Sequence, residues 1–317
     1  MVAKKILVTG GAGFIGSHFI KHMLKKYKDY QLINLDLLSY AGNLNNLVEI
    51  EDNPDYHFIH GDISDRKLVN KIFSRGLDYV VHFAAETHVD RSINNPEIFI
   101  KTNLIGTEVL LEACRKYNIK SFVQISTDEV YGSLSKKGFF TEDSTIAPNN
   151  PYSASKAGAD MLVRAYFKTY CLPLIITRSS NNYGSNQYPE KLIPMVISNA
   201  IKDREISVYG DGLQARDWIY VKDHCRALDV ALHKGKHGEI YNICANNEKK
   251  NIDLIKFILA YLGKSEKLIK YVKDRPGHDR RYALNTEKIQ KELGWAPEYD
   301  FEDSLKETID WYVNNLF

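Results

Sequence analysis

The stretch KKILVTGGAGFIGSHFIKHML near the amino terminus leaves the chain little freedom. Apolar residues run up to Thr9, glycines stand at positions 10, 13 and 16, and an apolar repeat at three and four residues follows. That order reads as a strand, a tight turn and the start of a helix. Without side chains at Gly10, Gly13 and Gly16, backbone N–H groups can approach a pyrophosphate at the positive end of that helix. Twenty residues after Gly16, at the end of the strand-like run YQLINLD, stands Asp36. A carboxylate there accepts hydrogen bonds from an adenosine ribose and repels a 2′-phosphate, which favours NAD over NADP.

The same grammar continues. YHFIHGD, YVVHFAA, SFVQIST and LPLIITR alternate with helical patterns such as NLIGTEVLLEACRKYN and YSASKAGADMLVRAYFKTY. Strands joined through helices form a parallel sheet with right-handed crossovers, so the expected fold is α/β, a doubly wound parallel sheet of Rossmann type. After Arg178 the rhythm changes: EISVYG and EIYNICA mix with helices, and SSNNYGSNQYPEK and KDRPGHDRRY are too polar for a core. The expected division is a NAD-binding Rossmann domain over 1–180 and, over 181–317, mainly a smaller α/β substrate lobe. The cleft between them is the expected ligand site.

The 317 residues include 42 basic and 40 acidic side chains with no long block of either sign, so no nucleic-acid partner is expected. No apolar run reaches membrane-spanning length, and MVAKKILVTGGAGFIG reads as folded structure rather than a leader. Cys114, Cys171, Cys225 and Cys244 are scattered without C-x-x-C spacing, as free thiols of a reducing cytoplasm would be. His18 and His22 lack the glutamate of a zinc helix, and no metal site is expected.

Two further stretches carry chemistry. In PYSASKAGAD, Tyr152 and Lys156 are four residues apart, hence on one face of a helix. A neighbouring ammonium and the positive ring of an oxidised nicotinamide would both favour phenolate, turning a tyrosine into a usable base. In QISTDEVYG, Thr127, Asp128 and Glu129 follow a strand. Acid and base tasks call for two carboxyl groups whose surroundings push their pKa values apart. Neighbours in a regular strand point to opposite faces, so both acids can serve one ligand only if the strand has ended by Thr127.

Together with TGGAGFIGS, YAGN, AAETHVDRSI, SNNYG, PEKLIP, ARDWIYVKDHC and DRPGHDRRY in that order, these stretches resemble the extended short-chain dehydrogenase/reductase family over essentially the whole chain. Within that family the resemblance is to the dTDP-glucose 4,6-dehydratases. It implies conversion of dTDP-glucose to dTDP-4-keto-6-deoxyglucose and water, in deoxysugar biosynthesis of the dTDP-rhamnose type. By the same resemblance Tyr152, with Lys156, serves oxidation at C4, Thr127 bonds the C4 oxygen, Glu129 is the base at C5 and Asp128 the acid at C6.

The resemblance also implies that NAD is held by Gly10, Gly13, Phe14, Ile15, Gly16, Asp36, Ser39, Asp62, Ile63, Ala84, Ala85, Thr102, Tyr152, Lys156 and Asn182. Substrate contacts fall to Thr87, Thr127, Asn181, Lys191, Leu192, Val208, Tyr209, Arg216, Asn251, Arg275 and His278. A homodimer is implied through the helices around GTEVLLEACRKY and ASKAGADMLVRAYF. Two departures stand out: Leu37 replaces the lysine usual after the ribose-binding acid, and the link YGSLSKKGFFTED is short. A UDP-sugar 4-epimerase would share NAD, Tyr152 and Lys156 but gain nothing from the two acids. A non-catalytic NAD-binding sensor would need none of the five.

Overall fold

The computed structural model describes residues 3–135 and 137–315. Among them are strands β1 (Lys4–Thr9), β2 (Tyr30–Asp36), β3 (Tyr56–His60), β4 (Tyr79–His82), β5 (Ser121–Thr127) and β6 (Leu174–Ser179). Shorter strands follow: β7 (Asn181–Tyr183), β8 (Ile206–Tyr209), β9 (Ala215–Tyr220), β10 (Ile240–Ile243), β11 (Glu248–Lys250) and β12 (Ile269–Val272). Helices α1 (Phe14–Lys26), α2 (Arg66–Phe73), α3 (Val89–Asn94), α4 (Pro96–Phe99), α5 (Thr107–Tyr117) and α6 (Pro151–Tyr170) punctuate the first half, and α7 (Leu192–Ile201) and α8 (Val221–Lys234) follow.

Seven strands form one parallel sheet in the order β10-β6-β5-β4-β1-β2-β3. Its central strands are buried on both faces, which is why they read as unbroken apolar runs. Ile6 and Val8 pack into one core with Phe19 of α1 and Leu228 of α8. Leu7, between them, packs on the other face with Leu110 of α5 and Val163 of α6. The period of two along β1 therefore builds both layers. The strand order reverses between β1 and β4, and the crevice beyond their carboxyl ends is where such sheets bind ligands.

After β6 the chain forms two small sheets, β11-β9-β7 and β12-β8. It does not stay there. β10 pairs with β6, Ile240 opposite Ile176, and α8 packs on α1, so residues beyond 181 complete the large sheet and one of its layers. Residues on both sides of position 180 therefore share the large sheet. Asp229 of α8 joins the two helices: its carboxylate, 2% exposed, accepts from His22 Nε2 at 2.9 Å, Lys26 Nζ at 2.6 Å and Tyr27 Oη at 2.8 Å.

Candidate active site

β5 stops at Thr127 and the chain enters a 3-10 turn, Asp128–Tyr131. Thr127 caps that turn, its hydroxyl accepting from Glu129 N at 3.3 Å. The strand's alternation is thereby broken, and Thr127, Asp128 and Glu129 all line one pocket. That removes the geometric obstacle posed by two adjacent acids.

Opposite the turn stands the amino-terminal end of α6. Asn150 accepts from Ser153 N at 2.9 Å, Ser153 Oγ accepts from Asn150 N at 3.3 Å, and Pro151 occupies the first turn, so the helix start is closed by a capping box. Tyr152 and Lys156, one turn apart, line the same pocket. Lys156 Nζ donates to Ile125 O at 2.6 Å, tying the helix to the end of β5. Tyr152 N donates to Ser92 Oγ at 3.1 Å, and its ring meets Phe99 edge-on.

The electrostatics separate these groups. Burial raises Asp128 well above the ordinary carboxyl range; the neighbouring Glu129 charge adds to this, and Arg216 opposes it. Glu129 is raised as well, again by burial, but Arg275, Arg216 and Lys191 pull it back. Asp128 Oδ2 and Glu129 Oε2 are buried without a hydrogen-bond partner in the protein. Burial lowers Lys156 to about 8. Without the nicotinamide, burial and the Glu129 charge push the Tyr152 phenol well above the ordinary value. A hydrogen bond with Thr127 opposes that rise.

The glycine turn closes the other end of the pocket. Gly10 has φ +70°, and a Cβ there would stand 2.6 Å from Ala84 N. A Cβ on Gly16 would stand 2.4 Å from Gly10 O. Gly10, Gly13, Phe14, Ile15 and Gly16 line the pocket, as do Asp36, Ser39, Asp62, Ile63, Ala84, Ala85, Thr102 and Asn182. Asp36 accepts from Ala12 N at 2.9 Å and Leu38 N at 2.8 Å, so its carboxylate is fixed at the tip of β2. The pocket is thus a groove with a side-chain-free turn at a helix start, a pinned carboxylate one strand away, and a Tyr/Lys pair facing an acid pair. A dinucleotide fits that set: glycine backbone for the pyrophosphate, Asp36 for a ribose. Leu37, half exposed, brings no cation to that rim.

The expected substrate residues fall into two groups. Thr87, Asn181 and Lys191 line the pocket, with Lys191 Nζ donating to Thr87 O at 3.0 Å. Arg216 and Arg275 do not line it, yet the charge of Arg216 bears on both acids and that of Arg275 on Glu129. Arg216 is buried, donating to Asp279 O at 2.8 Å with its guanidinium 4.4 Å from the Tyr282 ring centre. Tyr209 Oη donates to Asp90 Oδ2 at 3.3 Å, Arg275 lies 3.8 Å from the same carboxylate, and His278 is 2.6 Å from Asp274. Asn251 starts a helix with its Oδ1 buried and unpartnered. Leu192 and Val208 pack in or against the hydrophobic core, and neither lines the pocket.

Sequence reasoning missed part of the wall. Tyr40 bonds Thr87 Oγ1 at 3.0 Å, lies under the Arg91 guanidinium at 3.9 Å and meets Tyr188 edge-on. Glu86 lines the pocket with one carboxylate oxygen unpartnered. Both sit in stretches whose resemblance was noted, YAGN and AAETHVDRSI, but their side chains meet only in three dimensions. The short link is pinned to the segment 281–284, Leu134 N donating to Arg281 O at 3.0 Å and Phe140 N to Ala283 O at 2.8 Å; its residue 136 lies outside the described residues.

Known proteins resemble this chain over nearly its whole length. The model of the family described as GDP-mannose 4,6 dehydratase matches residues 7–308. A dTDP-glucose 4,6-dehydratase of Xanthomonas campestris pv. campestris (strain B100) is 49% identical, over 98% of this chain and 93% of its own. Among solved structures, dTDP-glucose 4,6-dehydratase from Bacillus anthracis str. Ames in complex with NAD is 53% identical, with a TM-score of 0.92 over 99% of this chain and 97% of that one. The dTDP-glucose 4,6-dehydratase from Streptomyces venezuelae with NAD and TYD bound is 46% identical, with a TM-score of 0.96 over 98% and 97%. With a family match over nearly its whole length and relatives of about half its sequence, the chain belongs to the family of nucleotide-sugar 4,6-dehydratases.

Proposed function

We propose that the chain is an NAD-dependent dTDP-glucose 4,6-dehydratase that forms dTDP-4-keto-6-deoxyglucose and water, in a deoxysugar route of the dTDP-rhamnose type. The observation that carries this reading is the 3-10 turn that turns Asp128 and Glu129 into one pocket with Tyr152 and Lys156. NAD, when bound, supplies the acceptor and later the donor of hydride, and in its oxidised form a positive charge that favours phenolate.

Tyr152 accepts the C4 hydroxyl proton, and Thr127 bonds the C4 oxygen. The C4 ketone acidifies the C5 hydrogen, which Glu129 removes as a proton and returns to C5 once C6 has been reduced. Asp128, kept protonated by burial beside Glu129, donates its proton to the C6 hydroxyl as that group departs as water. Two carboxyls with one more easily ionised than the other suit that division of labour. Lys191, Arg216 and Arg275 offer the positive charge that a nucleoside diphosphate requires, with Asn181 and Asn251 as amides and the small-sheet lobe as its seat.

A homodimer is the state we infer for solution. Ile100 and Ile105, on the helical segment Ile100–Gly106 leading into α5, and Met161 on α6 expose 52%, 47% and 43% of their surface, apolar area that a second copy would cover. Light scattering should report twice the chain mass, and Ile105→Lys should shift it toward monomer; a wild-type monomer at working concentration ends this inference. Cytoplasmic residence suits the nucleotide-sugar chemistry and the exposed free thiol of Cys171.

The decisive measurement is mass spectrometry of dTDP-glucose incubated with the protein and NAD, without other reductant or oxidant. Loss of one water with a new ketone is the expected result. Unchanged mass with inversion at C4 would mark an epimerase, and no turnover of dTDP-, UDP- or GDP-sugars would leave only cofactor binding.

A further inference from the structure

Behind the site lies a fully buried ion pair that none of these roles uses. Arg178 Nε donates to Asp160 Oδ2 at 2.9 Å, the side chains being 1% and 0% exposed. Two buried charges lose hydration that their attraction seldom repays, so what they hold in place becomes the question. Ser126 Oγ donates to the same Asp160 oxygen at 3.0 Å. Arg178 Nη1 donates to Tyr131 Oη at 2.9 Å, and its guanidinium lies 4.8 Å from the centre of the Tyr131 ring. Tyr131 Oη in turn donates to Asn242 Oδ1 of β10 at 2.8 Å.

The positions of these residues give the network its meaning. Ser126 immediately precedes Thr127, and Tyr131 closes the turn that carries Asp128 and Glu129. Asp160 lies on α6 one helical turn beyond Lys156 and two beyond Tyr152. Asp160, Arg178 and Tyr131 do not line the pocket. They join its two chemical elements from the rear, and Asp160 is the charge that opposes the effect of burial on Lys156.

We propose that Asp160, Arg178 and Tyr131 are positioning residues that lock the Asp128–Glu129 turn at a set distance and rotation from Tyr152 and Lys156. The catalytic consequence rests on the dehydratase reading; the bracing itself does not. A misplacement of about 1 Å at a site of this kind costs roughly a hundredfold in rate while leaving ground-state binding largely intact.

Tyr131→Phe keeps the ring over the guanidinium and deletes the hydroxyl that joins Arg178 to Asn242. In the full chain with NAD and dTDP-glucose, kcat should fall by roughly tenfold or more while KM stays within about threefold. Amide hydrogen exchange of the peptide 126–132 should rise, with the central strands unchanged. Asp160→Asn alone strands a buried guanidinium and risks misfolding, so the companion is the double variant Asp160→Leu with Arg178→Met, which removes both charges at similar volume. Its thermal midpoint should stay near that of wild type while its kcat remains as low as that of Tyr131→Phe.

Wild-type kcat in the double variant would reduce the network to a stabilising strut and overturn the proposal. So would unchanged exchange at 126–132 in both variants. Wild-type protein that converts no nucleotide sugar overturns the dehydratase reading alone, and the exchange at 126–132 then decides whether the brace exists.

Discussion

In the roles proposed for them, Glu129 and Asp128 show how neighbouring residues of one acidity would acquire opposite tasks. Both are raised by burial, but three cations, Arg275, Arg216 and Lys191, restrain Glu129, whereas Asp128 also feels the charge of Glu129. The activity profile against pH follows from these directions. A base must be deprotonated, so the rate should climb as pH rises through the Glu129 value, which lies above the ordinary 4.5. An acid must be protonated, so the rate should fall at higher pH as Asp128 ionises. The pair titrates as a unit, and the two limbs report macroscopic values. Rates of dTDP-glucose turnover from acid to alkaline pH test this, and Glu129→Gln should remove the acid limb with a loss of about 10²–10⁴ in kcat. A profile flat through the acid range would contradict the assignment. Much at this scale was legible beforehand, because Thr127, Asp128, Glu129, Tyr152 and Lys156 lie in two short stretches. The state of the Tyr152 phenol was not, since it depends on its burial and on the Glu129 charge that the fold brings near it.

At the scale of elements, the site is made by endings. β5 ends at Thr127, immediately before the acid pair, and α6 begins at Pro151 with Asn150 as its cap. Replacing a capping Asn by Ala removes the acceptor for a helix N–H and costs about 1 kcal/mol. Urea denaturation of Asn150→Ala should show that loss, and Asn150→Ser, which retains a capping oxygen, should recover most of it. Equal stability of all three proteins would mean that the helix start is held by its packing alone. Strand and helix identity were readable from periodicity in 1–180. The small sheets were less so: β7 and β11 have three residues each, too short for any period to declare itself. Substrate-side residues such as Leu192 and Val208 were placed by resemblance alone, and in the fold they serve the core.

For the whole molecule, the contact of α1 with α8 fixes the cofactor helix to the part of the chain that returns from the small sheets. Asp229 is its hub. Burial alone would raise this carboxyl, but hydrogen bonds from His22, His233, Lys26 and Tyr27 outweigh that and hold it well below its ordinary value. A folded-state value lowered in this way contributes stability above the unfolded value of about 4, and that stability is lost as pH falls below it. Asp229→Asn should therefore cost about 2 kcal/mol at neutral pH, less than a fully buried pair because Lys26 is half exposed. The difference from wild type should shrink as denaturation is repeated below about pH 4. A difference independent of pH would show that the cost is packing.

The sequence by itself determined the parallel sheet, the glycine turn with Asp36, and the two stretches of chemistry, because each depends on residues close together in the chain. Only the tertiary structure decided that β10 and α8 join the large sheet and one of its layers. It alone placed Arg216 and Arg275 where their charges bear on Glu129, and set Arg178 between Tyr131 and Asp160. Those contacts join residues far apart in sequence, and long-range pairing depends on how whole layers pack, which no local pattern encodes.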